Sequence, residues 1–390
     1  MGFLTTLALL TAHAFAGANN LHPVPKPNIK SESAIIMDAK TGMVLYDFNA
    51  YTPRYPASTT KILTALLLIE NCDPNEYISA PHECETIEGS SLYLKPTEHV
   101  KAEDMLYALM LRSANDAAYA IACHISGSME DFAKLMNERA KQIGCKNSHF
   151  TNPHGLPDEN HISTAYDLAL IAREAMNYSL FAEVARTKSK VINRSLNTLD
   201  VYLRNKNRFL SDESAEGIKT GYTKSAGHCF VGAKVHNDWR LITVVLNSQD
   251  WISDTTELFN WAFENFETVN ILRKGDLTER VKVIGGKQET VQAIANDDLT
   301  IVLAKGDFPK EIQYHFAKIE APIQKGQNIG FAMYTTEDTT FQVPLIAAQT
   351  VEKLPLLANT KFTLLMVLLG VLTISSAGFL IFLFLKRNNA

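Results

Sequence analysis

Apolar and polar residues alternate near the start of the chain in a pattern that predicts a β-hairpin, with strands at 34–37 and 43–46. Apolar segments at 229–235 and 240–246 predict two further strands, and the second is apolar almost throughout, as is typical of a central strand. Because strands stand at both ends with helices between them, we predict an α+β domain over residues 30–268 whose terminal strands share one antiparallel sheet.

Segments with helical spacing of apolar residues occupy the middle of this domain. The segment 62–69 is apolar on every side, which predicts a helix buried inside the domain. Further helices are predicted from about residue 102 and at 117–125, 131–143, 164–176 and 255–266. Asn115 or Asp116 is expected to cap the second of these, so that the connection before it is short and held between two buried helices.

A different pattern follows residue 272. Short alternating segments at 280–283, 299–302, 312–316 and 331–334 are separated by turn residues at regular intervals. This spacing predicts a small all-β domain over residues 272–352.

Both ends of the chain carry membrane-targeting patterns. Residues 1–16 form a short apolar segment that ends in Ala14-Phe15-Ala16, which predicts a secretory signal peptide, although no basic residue precedes the apolar part. Residues 362–385 contain no charge and exceed the roughly 20 residues that a bilayer requires, so we predict a transmembrane helix. Lys386 and Arg387 follow it and place the short tail in the cytoplasm, so the preceding domains are expected outside the cell membrane, on a single-pass anchor.

Composition and charge exclude several classes of function. The net charge of -5 and the lack of a long basic cluster argue against a nucleic-acid partner. No phosphate-binding loop or recognised zinc motif is present, so no cofactor or metal is expected. An exported domain can form disulfides, and of its five cysteines Cys72 and Cys84 are the favoured pair.

The chemistry of the chain centres on Ser58 and Lys61, which lie one helical turn apart immediately before the buried helix. No other serine has a lysine three residues later. Burial lowers the pKa of a lysine, and a neutral amine beside a hydroxyl is a base beside a nucleophile. The alternative is a capping serine with a lysine that reaches solvent.

Two further motifs complete a set with Ser58 and Lys61. Ser113 and Asn115 lie in the short connection between two predicted buried helices, which is a rigid place for polar groups. Lys219, Thr220 and Gly221 stand just before a predicted strand. The three motifs together are the signature of penicillin-binding proteins and class A β-lactamases.

Similar motifs elsewhere in the chain lack this context. Lys40-Thr41-Gly42 falls at the tip of the predicted hairpin, where the glycine serves the turn. Ser195 and Asn197 lie in a polar stretch with no predicted helix on either side.

The residue types in the set suit acyl transfer from a peptide, which requires a nucleophile, a base, oxyanion donors and a cation for a free carboxylate. We expect Ser58 to be the nucleophile and Lys61 its base. Ser113 can relay a proton to the leaving amine, and Asn115 can bind the substrate amide. Lys219 with Thr220 can hold a carboxylate, and Gly221 allows a substrate backbone to approach the strand edge. If Lys219 meets the negative charge of the substrate, Lys61 is left to work as a neutral base.

The chain resembles the D-alanyl-D-alanine carboxypeptidases, the low-molecular-mass penicillin-binding proteins, in the segments 55–61, 150–156 and 217–223. The resemblance covers residues 33–266, and the later β-rich segment is similar to that family's C-terminal domain. It implies a penicillin-binding/β-lactamase-like transpeptidase fold. It further implies removal of the terminal D-alanine from peptidoglycan stem peptides through an acyl-enzyme on Ser58, and acylation by β-lactams. The oxyanion hole would be the backbone N–H groups of Ser58 and Tyr222. Some members carry an arginine where this chain has Gln249.

Other functions stay open at this point. A class A β-lactamase needs a glutamate with an asparagine four residues later, and the best-placed glutamate, Glu159, is followed by Ser163. A wall-binding scaffold with an inactive site is a second alternative, although every motif residue is present. Transpeptidase and endopeptidase activities differ only in the acceptor or in the bond that is cleaved.

Overall fold

The structure is a computed structural model, and it describes residues 24–336, 339–355 and 360–388. The predicted signal peptide at residues 1–16 lies outside the described residues. Contacts divide the chain into two compact units. The first ends at Glu267 and also takes in Val302–Asp307, and the second comprises the rest.

The helices follow the predicted order, with additions. They are α1 (Lys61–Asn71), α2 (Ala102–Tyr107), α3 (Asn115–Ser126), α4 (Met129–Ile143), α5 (Ala165–Ala175), α6 (Ser179–Arg186), α7 (Trp251–Asn265) and α8 (Thr360–Asn388). Short 3-10 turns lie at Ala57–Thr60, His82–Thr86 and Arg208–Ser211, and a π-helical turn at Ala108–Arg112 extends α2. The sequence pattern did not predict α6.

The strands of the first unit are β1 (Ser33–Asp38), β2 (Val44–Phe48), β3 (Tyr77–Ser79), β4 (His99–Lys101), β5 (Ser189–Val191), β6 (Tyr202–Arg204), β7 (Ala215–Thr223), β8 (Gly227–His236) and β9 (Trp239–Ser248). The main sheet has the order β2-β1-β9-β8-β7, and every pairing in it is antiparallel. The predicted sharing of one sheet by the terminal strands is confirmed, and β9 is its central strand.

Both faces of the main sheet are covered by helices, which explains why β9 is apolar almost throughout. Helix α5 packs against β9 and β1, and α7 packs against β9 and β8. Neighbouring residues of a strand point to opposite faces, so Ile242 and Val244 belong to one apolar core while Leu241 and Val245 belong to the other. Helix α1 lies in the first of these cores, where it contacts α3 and α5.

The burial of α1 is as predicted. The residues Lys61–Leu68 are all buried, including the lysine. A helix this deep in the protein keeps its position through contacts on every side, and this makes its first turn a rigid support for side chains.

Three predictions about the first unit are wrong. Helix α3 begins after Ala114, and neither Asn115 nor Asp116 caps it. The carboxylate of Asp116 instead accepts the backbone N–H groups of Leu92 and Leu94, at 2.9 Å each, because it lies buried against the preceding loop. Lys219, Thr220 and Gly221 lie inside β7 rather than before a strand.

The third error concerns the cysteines. All five lie within the described residues, and each is a free thiol there, including Cys72 and Cys84. The sulfur of Cys84 donates to the backbone oxygen of Asp116 in the interior. Cys72 and Cys84 are close in sequence, but they do not form the expected disulfide.

The second unit contains the predicted all-β domain, and its fold class is confirmed. The strands from residue 266 onward are β10 (Phe266–Leu272), β11 (Leu277–Ile284), β12 (Thr290–Ala295), β13 (Leu299–Ala304), β14 (Gln313–Phe316), β15 (Ile319–Glu320), β16 (Asn328–Thr335) and β17 (Thr340–Ala347). The larger sheet has the order β14-β16-β17-β12-β11-β15. The strands β10, β12, β15 and β17 were not among those predicted.

Helix α8 contains the apolar segment Leu364–Phe382, whose mean hydropathy is 2.4. Among the described residues it is the helix that is long and apolar enough to cross a membrane. This apolar window is not buried, and the helix is a candidate membrane anchor.

Candidate active site

Ser58 lies in the 3-10 turn Ala57–Thr60, which leads directly into α1. Ala57 has a left-handed backbone with φ of 49°. A non-glycine residue in this region is uncommon and marks a turn that its surroundings hold in place. The turn presents the Ser58 hydroxyl 3.1 Å from Nζ of Lys61, so the predicted pairing of these two side chains is present in the structure.

The amine of Lys61 is fully buried and makes three hydrogen bonds. It donates to Ser58 Oγ at 3.1 Å, to Asn115 Oδ1 at 2.7 Å and to the backbone oxygen of His154 at 2.7 Å. No carboxylate of the described residues forms an ion pair with it. The structure therefore offers hydrogen-bond acceptors to this amine but no counter-charge in direct contact.

The environment of Lys61 holds its pKa well below the usual lysine value. Burial is the largest cause, and the nearby charge of Lys219 acts in the same direction, while Asp116 opposes them. An amine with a lowered pKa exists in its neutral form at a lower pH than a free lysine. In that form its two N–H groups can serve Asn115 and His154, and its lone pair can accept the proton of the Ser58 hydroxyl.

Ser113 and Asn115 flank the start of α3, as their spacing predicts. Ser113 ends the π-helical turn with a left-handed backbone, and its hydroxyl has no hydrogen-bond partner among the described residues. Asn115 donates through Nδ2 to the backbone oxygen of Glu88 at 2.6 Å, and its own N–H donates to the backbone oxygen of Ser90. The structure thus brings Ser58, Lys61 and Asn115 into direct contact, whereas Ser113 is not bonded to them.

Strand β7 lies at the edge of the main sheet and packs against the Ser58 turn. It contains Lys219, Thr220 and Gly221. A Cβ atom at Gly221 would stand 3.0 Å from the backbone nitrogen of Ser58, so a side chain here would press on the nucleophile turn, whereas glycine allows the close approach. The Lys219 amine is buried and donates to the backbone oxygen of Thr220 at 3.1 Å. Burial, assisted by the charge of Lys206, lowers the pKa of Lys219 to about 7.

Tyr222 follows the motif on the same strand. Its side chain is 61% exposed, and its ring packs on the ring of His228 with the centroids 4.7 Å apart. The phenol is therefore at the surface, and the predicted contribution of Tyr222 is that of its backbone N–H alone.

The loop that contains Pro153, His154 and Gly155 supports the Ser58 turn, a role that the sequence did not predict. Thr64 of α1 donates to the backbone oxygen of Pro153, and Lys61 donates to that of His154. Gly155 has φ of 84°, and a Cβ atom there would lie 1.9 Å from the backbone oxygen of Ala57. Only glycine fits this contact, so the loop and the nucleophile turn hold each other in place.

Two buried histidines lie beside this loop. Burial is the main cause that lowers the pKa of His154 to about 3 and that of His161 to about 4. His161 Nε2 is 2.8 Å from the hydroxyl of Thr60, at the end of the nucleophile turn. Because both imidazoles are neutral near pH 7, they add hydrogen bonds around Lys61 without adding positive charge.

Lys206 is a further residue that sequence reasoning missed. Its amine donates to Ser90 Oγ at 3.1 Å, and its backbone N–H donates to the oxygen of Leu111 in the π-helical turn. Its charge acts to lower the pKa of both Lys61 and Lys219. No motif contains Lys206, and only the tertiary structure brings it near the other two lysines.

Comparison with known proteins agrees with this geometry. Residues 20–250 match the D-alanyl-D-alanine carboxypeptidase family. The chain belongs to this family. Residues 266–353 match the C-terminal domain of penicillin-binding protein 5, so the carboxypeptidase-like resemblance extends through the β-rich unit.

Individual relatives of the carboxypeptidase family align over most of the chain. It is 32% identical over 349 residues to the D-alanyl-D-alanine carboxypeptidase DacF of Bacillus subtilis, which covers 86% of this chain and 89% of DacF. The structure of penicillin-binding protein 5 from Haemophilus influenzae superposes with a TM-score of 0.72 at 27% identity, over 85% of this chain and 100% of that one. A point mutant of the Streptomyces K15 DD-transpeptidase superposes with a TM-score of 0.59 at 30% identity, over 61% of this chain and 100% of that one.

The position expected to carry an arginine in some carboxypeptidases is occupied here by Gln249, just beyond β9. Its side chain is exposed and makes no hydrogen bond among the described residues. Lys219, in the expected motif, lies on the strand that packs against the nucleophile turn.

Gly155 provides a test of how the loop supports the nucleophile. In Gly155→Ala the new methyl group meets the backbone of Ala57, so we expect the Ser58 turn to shift and the rate of acylation by a fluorescent penicillin to fall by about 100-fold. Gly127→Ala is the matched control, because Gly127 has a similar φ of 79° but nothing within 4 Å of an added Cβ. Equal acylation rates in the two variants would contradict the proposed support.

Lys206 provides a test of the charge coupling. In Lys206→Gln a nearby positive charge is lost, so the pKa values of Lys61 and Lys219 should both rise. If catalysis needs a neutral Lys61 and a charged Lys219, both limbs of the pH profile of kcat/KM for D-alanine release move to higher pH. Lys206→Arg keeps the charge and should keep the profile in place. A glutamine variant whose profile superposes on that of the parent enzyme would show that the coupling is absent.

Proposed function

We propose that the protein is a serine D-alanyl-D-alanine carboxypeptidase that removes the terminal D-alanine from peptidoglycan stem pentapeptides. The observation that carries this proposal is the contact of 3.1 Å between the Ser58 hydroxyl and the buried amine of Lys61. Membership of the carboxypeptidase family and the presence of all three motifs support it.

Acylation begins when Lys61 takes the proton of Ser58 and the resulting alkoxide attacks the carbonyl carbon between the last two D-alanines. The backbone N–H groups of Ser58 and Tyr222 stabilise the oxyanion that forms. Lys219 and Thr220 bind the free carboxylate of the substrate, and Asn115 binds its amide. The peptide bond then breaks, and the proton reaches the departing D-alanine amine through Ser113, whose hydroxyl has no other partner in the described structure.

Deacylation reverses these roles. Water attacks the ester on Ser58, with Lys61 as the base that accepts its proton, and the Ser58 oxygen leaves and is reprotonated. A β-lactam mimics the scissile amide and acylates Ser58 in the same way, but its amine stays tethered in the opened ring. The protein is therefore expected to bind β-lactams as covalent inhibitors.

The β-lactamase alternative finds less support. Glu159 is exposed, and its carboxylate has no hydrogen bond or ion pair among the described residues. A glutamate that activates the deacylating water in a class A enzyme must lie in the site and be held there. The fully assembled Ser58–Lys61–Asn115 contact likewise favours an enzyme over an inactive scaffold.

We propose that this chemistry takes place outside the cell, and the predicted domain organisation supports this location. We propose that residues 1–16 are a signal peptide, 30–268 the carboxypeptidase domain and 272–352 the β domain. Residues 362–385 would anchor the protein in the membrane, supported by the apolar helix at Leu364–Phe382. The basic residues after the helix favour a cytoplasmic tail, which leaves the catalytic domain on the outer face with the peptidoglycan.

Ser58→Ala tests the nucleophile. We expect the variant to lose covalent labelling by a fluorescent penicillin and to release no free D-alanine from a synthetic pentapeptide that ends in D-Ala-D-Ala, because no hydroxyl forms the ester. Ser195→Ala, in the second Ser-x-Asn sequence, is the control and should retain both activities. Labelling of Ser58→Ala would overturn the assignment, and rapid β-lactam turnover without D-alanine release by the parent protein would favour a β-lactamase.

A further inference from the structure

Three side chains of metal-ligand type lie together at a place that the catalytic proposal does not use. Cys72 is the residue that follows α1, Glu76 is in the loop beyond it, and His124 lies in the last turn of α3. The thiol sulfur, a carboxylate oxygen and an imidazole nitrogen are within 4.8 Å of one another.

The distances suit a small cation. His124 Nε2 is 3.0 Å from Glu76 Oε1. In a tetrahedral zinc site with bonds of about 2.0–2.3 Å, the ligand atoms stand roughly 3.3–3.6 Å apart. Movements of about 1 Å would therefore bring all three atoms onto one ion, and such movements are within the reach of partly exposed side chains. The Cys72 thiol makes no hydrogen bond among the described residues, so none has to be broken at the sulfur.

The chemistry of the three ligands selects the ion. A thiolate, an imidazole and a carboxylate together are the ligand types of zinc, whereas magnesium and calcium prefer oxygen alone. The Cys72 thiol must lose its proton to bind zinc, and the Glu76 carboxylate lies close to it. Zinc binding would displace that proton, and water can occupy the fourth position.

The location of the cluster relates it to the active site. Lys61 begins α1 and Asn115 begins α3, and their side chains join the N-terminal ends of the two helices at 2.7 Å. Cys72 and His124 stand at the opposite ends of the same helices. At 1.5 Å per residue the cluster lies about 16 Å along α1 from Lys61, too far for an ion to take part in the reaction.

We propose that Cys72, Glu76 and His124 form a Zn²⁺ site that fastens the C-terminal ends of α1 and α3, the two helices that begin with Lys61 and Asn115. The bound ion holds α1 and α3 together and so stabilises the positions of Lys61 and Asn115. It does not act on the substrate. Its ligands come from two segments, the loop that contains Cys72 and Glu76 and the last turn of α3, so no short zinc motif marks them in the sequence.

The test uses the full-length chain in detergent, with a phosphine reductant and without chelator, and Co²⁺ as a spectroscopic probe for the zinc position. We expect a thiolate-to-cobalt charge-transfer band that saturates at one equivalent and disappears when Zn²⁺ is added. Cys72→Ser should abolish the band, and Glu76→Gln and His124→Gln should weaken Co²⁺ binding. Cys145→Ser and His99→Gln are the matched controls and should leave binding unchanged.

A second readout reports on stability. Zn²⁺ at 100 times its dissociation constant should raise the Tm of the parent protein by roughly 5–10 °C, and should not raise that of Cys72→Ser. Labelling by a fluorescent penicillin checks that each variant is folded, and if Cys72→Ser does not fold, the other two ligand variants carry the test. No charge-transfer band, a band that survives Cys72→Ser, or an equal loss in the control variants would overturn the proposal, whatever the enzymatic activity.

Discussion

The burial of the Lys61 amine is the constraint on which the active site depends. A buried ammonium group is costly, and proteins avoid the cost by pairing the charge or by giving up the proton. Here the amine contacts Ser58, Asn115 and His154, no carboxylate of the described residues pairs with it, and the charge of Lys219 adds to the effect of burial in lowering its pKa. The arrangement therefore favours the neutral amine, which is the form that a base beside a serine requires.

Close backbone contacts fix the elements around the nucleophile turn. Gly155 brings its loop against the carbonyl of Ala57, and Gly221 brings the edge strand β7 against the nitrogen of Ser58. The nucleophile turn is thus held from two sides, and α1 behind it is fixed by contacts with α3 and α5. Lys219 is the second buried lysine, and its pKa is lowered to about 7. Its surroundings therefore destabilise the charged form by about 5 kcal/mol compared with a lysine in water. A substrate carboxylate that approaches Lys219 would offset this cost, so the site is suited to a ligand with a free C-terminus.

Sequence reasoning predicted the elements whose signals are local. The apolar helix from residue 62, the central strand at 240–246 and the pairing of Ser58 with Lys61 follow from the spacing of a few neighbouring residues. Sequence reasoning did not predict the features that depend on tertiary contacts. The nine-residue strand β7, which is rich in polar residues, forms by pairing with β8. The Asp116 carboxylate accepts hydrogen bonds from the preceding loop instead of capping α3, and Lys206 lies near the site although its segment carries no motif.

Lys61 is proposed to act as a neutral base, and a measurement of its pKa tests this role. The folded protein can be labelled with ¹³C at the lysine ε carbon, and the Lys61 resonance can be assigned by its absence in Lys61→Arg. We expect this resonance to titrate well below pH 10.5, the ordinary lysine value. A Lys61 amine that titrates at or above pH 10.5 would rule out this role, because the serine would then have no neutral base beside it.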